Sequence, residues 1–130
     1  MRDGADKSGS KAEFKKRLYS WVLKTVRFAS KLKKDAASDI ISRQLLRSGT
    51  RILANYVEGL SASSRKDLIN FFSYSLKSAN ESKVWIALLR DTGKGDPKEA
   101  SWLLKELTEI SKIFASSLLT LKGKRRPHDI

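Results

Sequence analysis

Residues Arg43–Gly59, RQLLRSGTRILANYVEG, decide what kind of protein this chain makes. Wound as a helix at about 100° per residue, the stretch separates by chemistry. Ile41, Leu45, Ile52 and Tyr56 fall together, and Leu46, Leu53, Val57 and Leu60 widen that apolar surface to roughly half the circumference. Arg43, Arg47, Arg51 and Glu58 take the other half. A surface helix facing one core needs a stripe of only about 100°. The wider face points to a helix buried against several neighbours, some from another copy of the chain, with Leu46, Leu53 and Val57 as candidate contacts between copies.

Working outward, Lys33-Lys34-Asp35 forms a junction in which Asp35 is placed to cap this helix. Before it, a helical pattern starts at about Lys11: Phe14, Leu18, Trp21, Val22, Thr25, Phe28, Ala29 and Leu32 recur at three- and four-residue spacing. After it, GLSASS (Gly59–Ser64) is a break, with Gly59 read as the residue just past the helix end. Ser64 and Asp67 resemble a capping box opening a third helix over about 64–91. Leu68, Phe72, Ser75, Ala79, Ser82, Ile86 and Leu89 form its seam, small at the centre and expected to face Ser48–Thr50. Thr92–Gly95 is a loop, and Asp96-Pro97-Lys98-Glu99 is the clearest helix start in the chain. Ala100, Leu103, Leu107, Ile110, Phe114, Ser117 and Leu121 carry the fourth helix as a heptad.

Four helices with short connections and no two-residue alternation predict an all-α, antiparallel up-down-up-down four-helix bundle over residues 11–122. Residues 1–10 read as a disordered leader and residues 123–130 as a basic tail. A chain of 130 residues is long enough for one core without staples. It has no cysteine, which excludes disulfides and thiolate metal sites and suits a reducing cytoplasm. No apolar run approaches the roughly 18 residues of a membrane span, so a soluble, cytoplasmic chain without a membrane partner is expected.

The net charge of +13 exceeds the roughly 2–8 units that keep a small domain soluble. Such an excess points to a polyanion, nucleic acid first and anionic membrane second. Residues 11–51 hold twelve Lys or Arg against Glu13, Asp35 and Asp39. The candidate phosphate contacts are Lys15, Lys16, Arg17, Lys24, Arg27, Lys31, Lys33 and Lys34, with Lys122, Lys124, Arg125 and Arg126 at the other end. Their excess has no matching acids nearby in the sequence. The column Arg43, Arg47 and Arg51 has two readings, phosphate contact through the guanidinium fork or ion pairing with Glu58, Asp39 or Glu81.

Catalysis has few candidates. The single histidine, His128, lies in the tail, no Glu-x-x-His pair exists for a di-metal bundle site, and no base is aligned with a serine. Gly93-Lys94-Gly95-Asp96 lacks the spacing and hydroxyl of a phosphate loop. No catalytic residue, cofactor or metal ligand is expected. Nothing reads as a zinc finger, an RNP motif or a helix-turn-helix, so base-specific readout has no support. Of the aromatics, Trp21, Trp85, Phe71 and Tyr74 fit packing between helices, whereas Trp102 sits off the Leu103/Leu107/Ile110 line and is read as a subunit contact.

SRQLLRSGTRILANYVEG (Ser42–Gly59) and KDLINFFSYSLKSANESKVWIALLRD (Lys66–Asp91) resemble the bacterial four-helix-bundle proteins, over about Phe14 to Lys122. That superfamily includes proteins encoded in intervening sequences of large-subunit ribosomal RNA genes and the accessory variability determinants (Avd) of diversity-generating retroelements. Arg51 stands where the common motif has a small residue, and Leu53 where it often has Gly. The resemblance implies a homopentameric barrel without catalytic activity. For the retroelement branch it also implies binding of RNA or DNA and of a partner reverse transcriptase, in support of mutagenic template copying. The basic surplus favours that branch; the alternative is a structural or protein-interaction bundle of the intervening-sequence type with no nucleic-acid role.

Overall fold

A computed structural model describes residues 4–123, with side chains from Ser10 onward. Four helices, α1 (Gly4–Ser30), α2 (Ala36–Leu60), α3 (Arg65–Asp91) and α4 (Pro97–Leu121), account for the described chain, in which there is no strand. Each helix packs on the next, and α1 returns against α4, so the four stand in a ring.

One aromatic from each helix fixes the helix directions. Phe14, Tyr56, Phe72 and Phe114 cluster with ring centroids 5.1–5.9 Å apart, mostly edge to face. Phe14 and Phe72 belong to the first halves of α1 and α3, whereas Tyr56 and Phe114 belong to the last turns of α2 and α4. Their meeting therefore requires an up-down-up-down arrangement, as expected. At the opposite end the two loops are tied together by Lys94 Nζ, which donates to Asp35 Oδ2 at 2.7 Å. Gly95 lies against the buried Phe28 ring, where a Cβ would come within 2.4 Å of Cζ.

The starts follow from local chemistry. Asp35 Oδ1 accepts from Ser38 N at 2.8 Å, Ser64 Oγ from Asp67 N at 3.1 Å and Asp96 Oδ2 from Glu99 N at 2.9 Å, each satisfying a backbone donor that the helix leaves free. Helix α3 ends at Gly93 with φ +72°, where the Lys94 amide donates back to the Leu89 carbonyl at 2.9 Å. Helix α1 is drawn from Gly4, ahead of the Lys11 start read from the apolar pattern. Residues 4–10 contain no proline to stop it. The rest of the expected leader, residues 1–3, and tail residues 124–130 lie outside the described residues.

The expected cores of all four helices come together. Leu18, Trp21, Leu45, Ile52, Ile86, Leu89, Leu103, Leu107 and Ile110 are buried. The small seam of α3 lets α2 approach: Ser75 Oγ donates to the Ile52 carbonyl at 2.9 Å, and Ser48 Oγ and Ser82 Oγ lie 2.7 Å apart. Only Ser48 of the Ser48–Thr50 trio meets α3. Gly49 faces Trp21 and Thr25 of α1, and Thr50 is exposed, because consecutive residues step about 100° around the helix. Gly59 is also not a cap. It is helical and buried, the helix runs on to Leu60, and a Cβ there would lie 3.0 Å from the Phe72 ring and 3.1 Å from Phe71 Cβ. Its missing side chain serves close packing.

Candidate nucleic-acid interface

Helix α1 turns Phe14, Leu18, Trp21, Thr25, Phe28 and, just past its end, Leu32 inward, which leaves its cations outside. Lys15, Lys16, Lys24, Arg27, Lys31, Lys33 and Lys34 are exposed. Arg17 is the exception. Its Nε and Nη2 donate to Glu106 of α4 at 2.6 and 2.8 Å, a two-pronged pair that pushes the guanidinium pKa up and the Glu106 carboxyl down. Lys31 Nζ likewise reaches both oxygens of Glu99, at 2.8 and 2.9 Å. Two cations of this stretch, Arg17 and Lys31, therefore do have acidic partners. Glu99 and Glu106 are remote in sequence, and only the return of α4 against α1 brings them close.

Arg43, Arg47 and Arg51 are exposed on α2 and make no ion pair among the described residues. Their supposed partner Glu81 instead accepts from Trp85 Nε1 at 3.0 Å. Arg51 lines a shallow groove between α2 and α3 with Tyr74, Lys77 and Glu81. Lys122 is exposed at the end of α4; Lys124, Arg125, Arg126 and His128 fall outside the described residues.

Trp102 stands 41 % exposed on α4, with Lys24 Nζ 4.0 Å from its ring centroid. That distance is a cation–π contact. Lys24, Arg27, Lys31, Glu99, Trp102 and Leu103 line an open notch of about 250 Å³ between α1 and α4. Lys98 and Lys105, one turn either side of Trp102, are exposed too, and neither they nor Arg27 makes an ion pair among the described residues. The sequence reading passed over both lysines, although their spacing from Trp102 places them on one helix face.

The contact candidates on α2 have a mixed fate. Leu46, Leu53 and Val57 are half-buried, with Leu53 packed against the core. A stripe absent from the sequence reading, Tyr19 (59 % exposed), Leu23 and Val26, lies on the outer face of α1. Spacing of four and three residues was the signal for it. Among the described residues no helix is long and apolar enough to cross a membrane, and no group of acids and histidines could hold a metal ion.

No curated protein matches the chain significantly. Its fold is similar to a solved structure described as a protein of unknown function from the S23 ribosomal protein family of Bacteroides thetaiotaomicron. The two share 31 % sequence identity and a TM-score of 0.73, across 81 % of this chain and 97 % of the other. The model of the 23S rRNA-intervening sequence protein family matches residues 10–116, which take in all but the ends of the bundle. The chain thus belongs to the 23S rRNA-intervening sequence protein family.

Proposed function

We propose that this intervening-sequence-type bundle is a non-catalytic binding module whose ligand is nucleic acid, held through the phosphate backbone. The observation that carries the reading is the exposure of Lys15, Lys16, Lys24, Arg27, Lys33, Lys34, Arg43, Arg47 and Arg51, none of which makes an ion pair among the described residues. An excess of cations beyond what solubility requires is the usual footprint of a polyanion site. The narrower role, an Avd-like accessory to a reverse transcriptase, rests on the sequence resemblance alone; the matched family and the solved relative are named for neither. The test is fluorescence anisotropy with a labelled RNA. Replacing Lys24, Arg27, Lys33 and Lys34 together by Gln is expected to weaken binding at least tenfold with the fold intact, and an unchanged affinity overturns the reading.

A second reading has its own support. The stripe Tyr19, Leu23 and Val26, with half-buried Leu46, Leu53 and Val57, fits self-association or a protein partner without any nucleic-acid role. Five copies are what the resemblance implies. Light scattering of the wild type and of a Tyr19→Ser, Leu23→Ser, Val26→Ser variant tests it: a drop in mass supports this contact, and a monomeric wild type removes it.

A further inference from the structure

We infer that the notch between α1 and α4 takes an unpaired base, stacked on Trp102, so that the ligand is single-stranded. The inference rests on the nucleic-acid reading above and adds the class of strand. Three observations converge. The indole is exposed on a surface helix instead of packed in the core, as Trp21 is. The notch beside it, about 250 Å³, is smaller than the roughly 300–1,000 Å³ of ordinary ligand pockets and open at the side, the size of a guest such as one base. The charge around it is one-sided. Glu99 and Glu106 are already engaged by Lys31 and Arg17, with Lys24 adding to the field at Glu106, which leaves Arg27, Lys98 and Lys105 to meet phosphates, joined by Lys24 once it turns.

Lys24 occupies the indole face in the free protein. An exposed cation–π contact is weaker than a stacked base, so a base can replace the ammonium there while Lys24 turns to a neighbouring phosphate. A duplex keeps its bases stacked on one another and can offer this site only its backbone. The notch therefore discriminates by strandedness, and it does so without reading sequence, since every base presents a π-face.

The test compares labelled poly(U) and poly(dT) oligomers with an RNA duplex of equal length, using wild type, Trp102→Ala, Trp102→Phe and, at an exposed apolar position of α3, Val84→Ala. Wild type is expected to prefer the single strands. Trp102→Ala is expected to weaken single-strand binding about tenfold and duplex binding less than twofold, whereas Trp102→Phe keeps most of the affinity and Val84→Ala all of it. Trp102 fills no core space, so a thermal melt should confirm folded variants. Equal loss on both ligands, or no loss on the single strands, overturns the stacking site while leaving phosphate binding in place. Failure of wild type to bind either ligand overturns the nucleic-acid reading itself. A Trp102→Ala protein whose oligomeric mass falls while its affinity holds assigns the residue to a contact between copies and overturns the inference.

Discussion

The Trp21 indole N–H donates to the Leu103 carbonyl at 3.0 Å, joining the buried face of α1 to α4 one residue beyond Trp102. The bond sets how α4 lies against α1 and hence how the notch above it is shaped. Trp21→Phe removes the donor and leaves a void in a fully buried site. A loss of about 1–3 kcal/mol is expected in urea unfolding. A change below about 0.5 kcal/mol would show that the bond positions nothing.

Two glycines of α2 should respond oppositely to alanine. At Gly49 a Cβ would meet Trp21 at 3.4 Å, an ordinary contact, so Gly49→Ala is expected to stabilise by up to about 1 kcal/mol through helix propensity. At Gly59 the new methyl meets the Phe72 ring at 3.0 Å and Phe71 Cβ at 3.1 Å, and the latter is too near its backbone to yield. Gly59→Ala should cost about 1–3 kcal/mol, and thermal unfolding of the two variants separates the cases.

Ser111 is buried on α4 and its hydroxyl has no partner among the described groups. Removing an unsatisfied buried hydroxyl relieves a desolvation penalty, so Ser111→Ala is expected to raise the melting temperature by a few degrees. A lowered temperature would mean that the hydroxyl is satisfied by bound water.

Asp35 carries the pH dependence of the loop end. Lys94 beside it, and the Ser38 amide it caps, hold its carboxyl down to about 2. Because the folded value lies below the unfolded one, this contribution is fully present above about pH 4 and is lost as pH falls towards 2. Asp35→Asn keeps a capping side chain but removes the charge. Its stability should therefore fall less steeply than wild type between about pH 4 and 2, as followed by circular dichroism. Parallel profiles would contradict the assignment.

Much of the bundle is legible in the chain because its signals are local. Asp35, Ser64 and Asp96 announce helix starts within four residues, and Leu103, Leu107, Ile110 and Phe114 mark one face. Where a strict seven-residue repeat was extended to Ser117, the structure buries Leu118, since a straight helix drifts about 20° per heptad. The site was legible only as charge. That Glu106 would neutralise Arg17, or that Lys24 would cover Trp102, depends on which helices become neighbours, and no spacing along the chain encodes that. Gly59 misled for a related reason: a glycine near a helix end looks the same whether it caps or makes room for Phe72.

The central claim is that exposed cations on this bundle hold a nucleic-acid backbone. The most direct measurement is the affinity of the wild-type chain for a single-stranded RNA between about 50 and 200 mM salt. Each phosphate neutralised contributes about −0.7 to the slope of log affinity against log salt, so four or more contacts predict a slope steeper than about −2.5. A flat profile, or no binding at the lowest salt, would contradict the account.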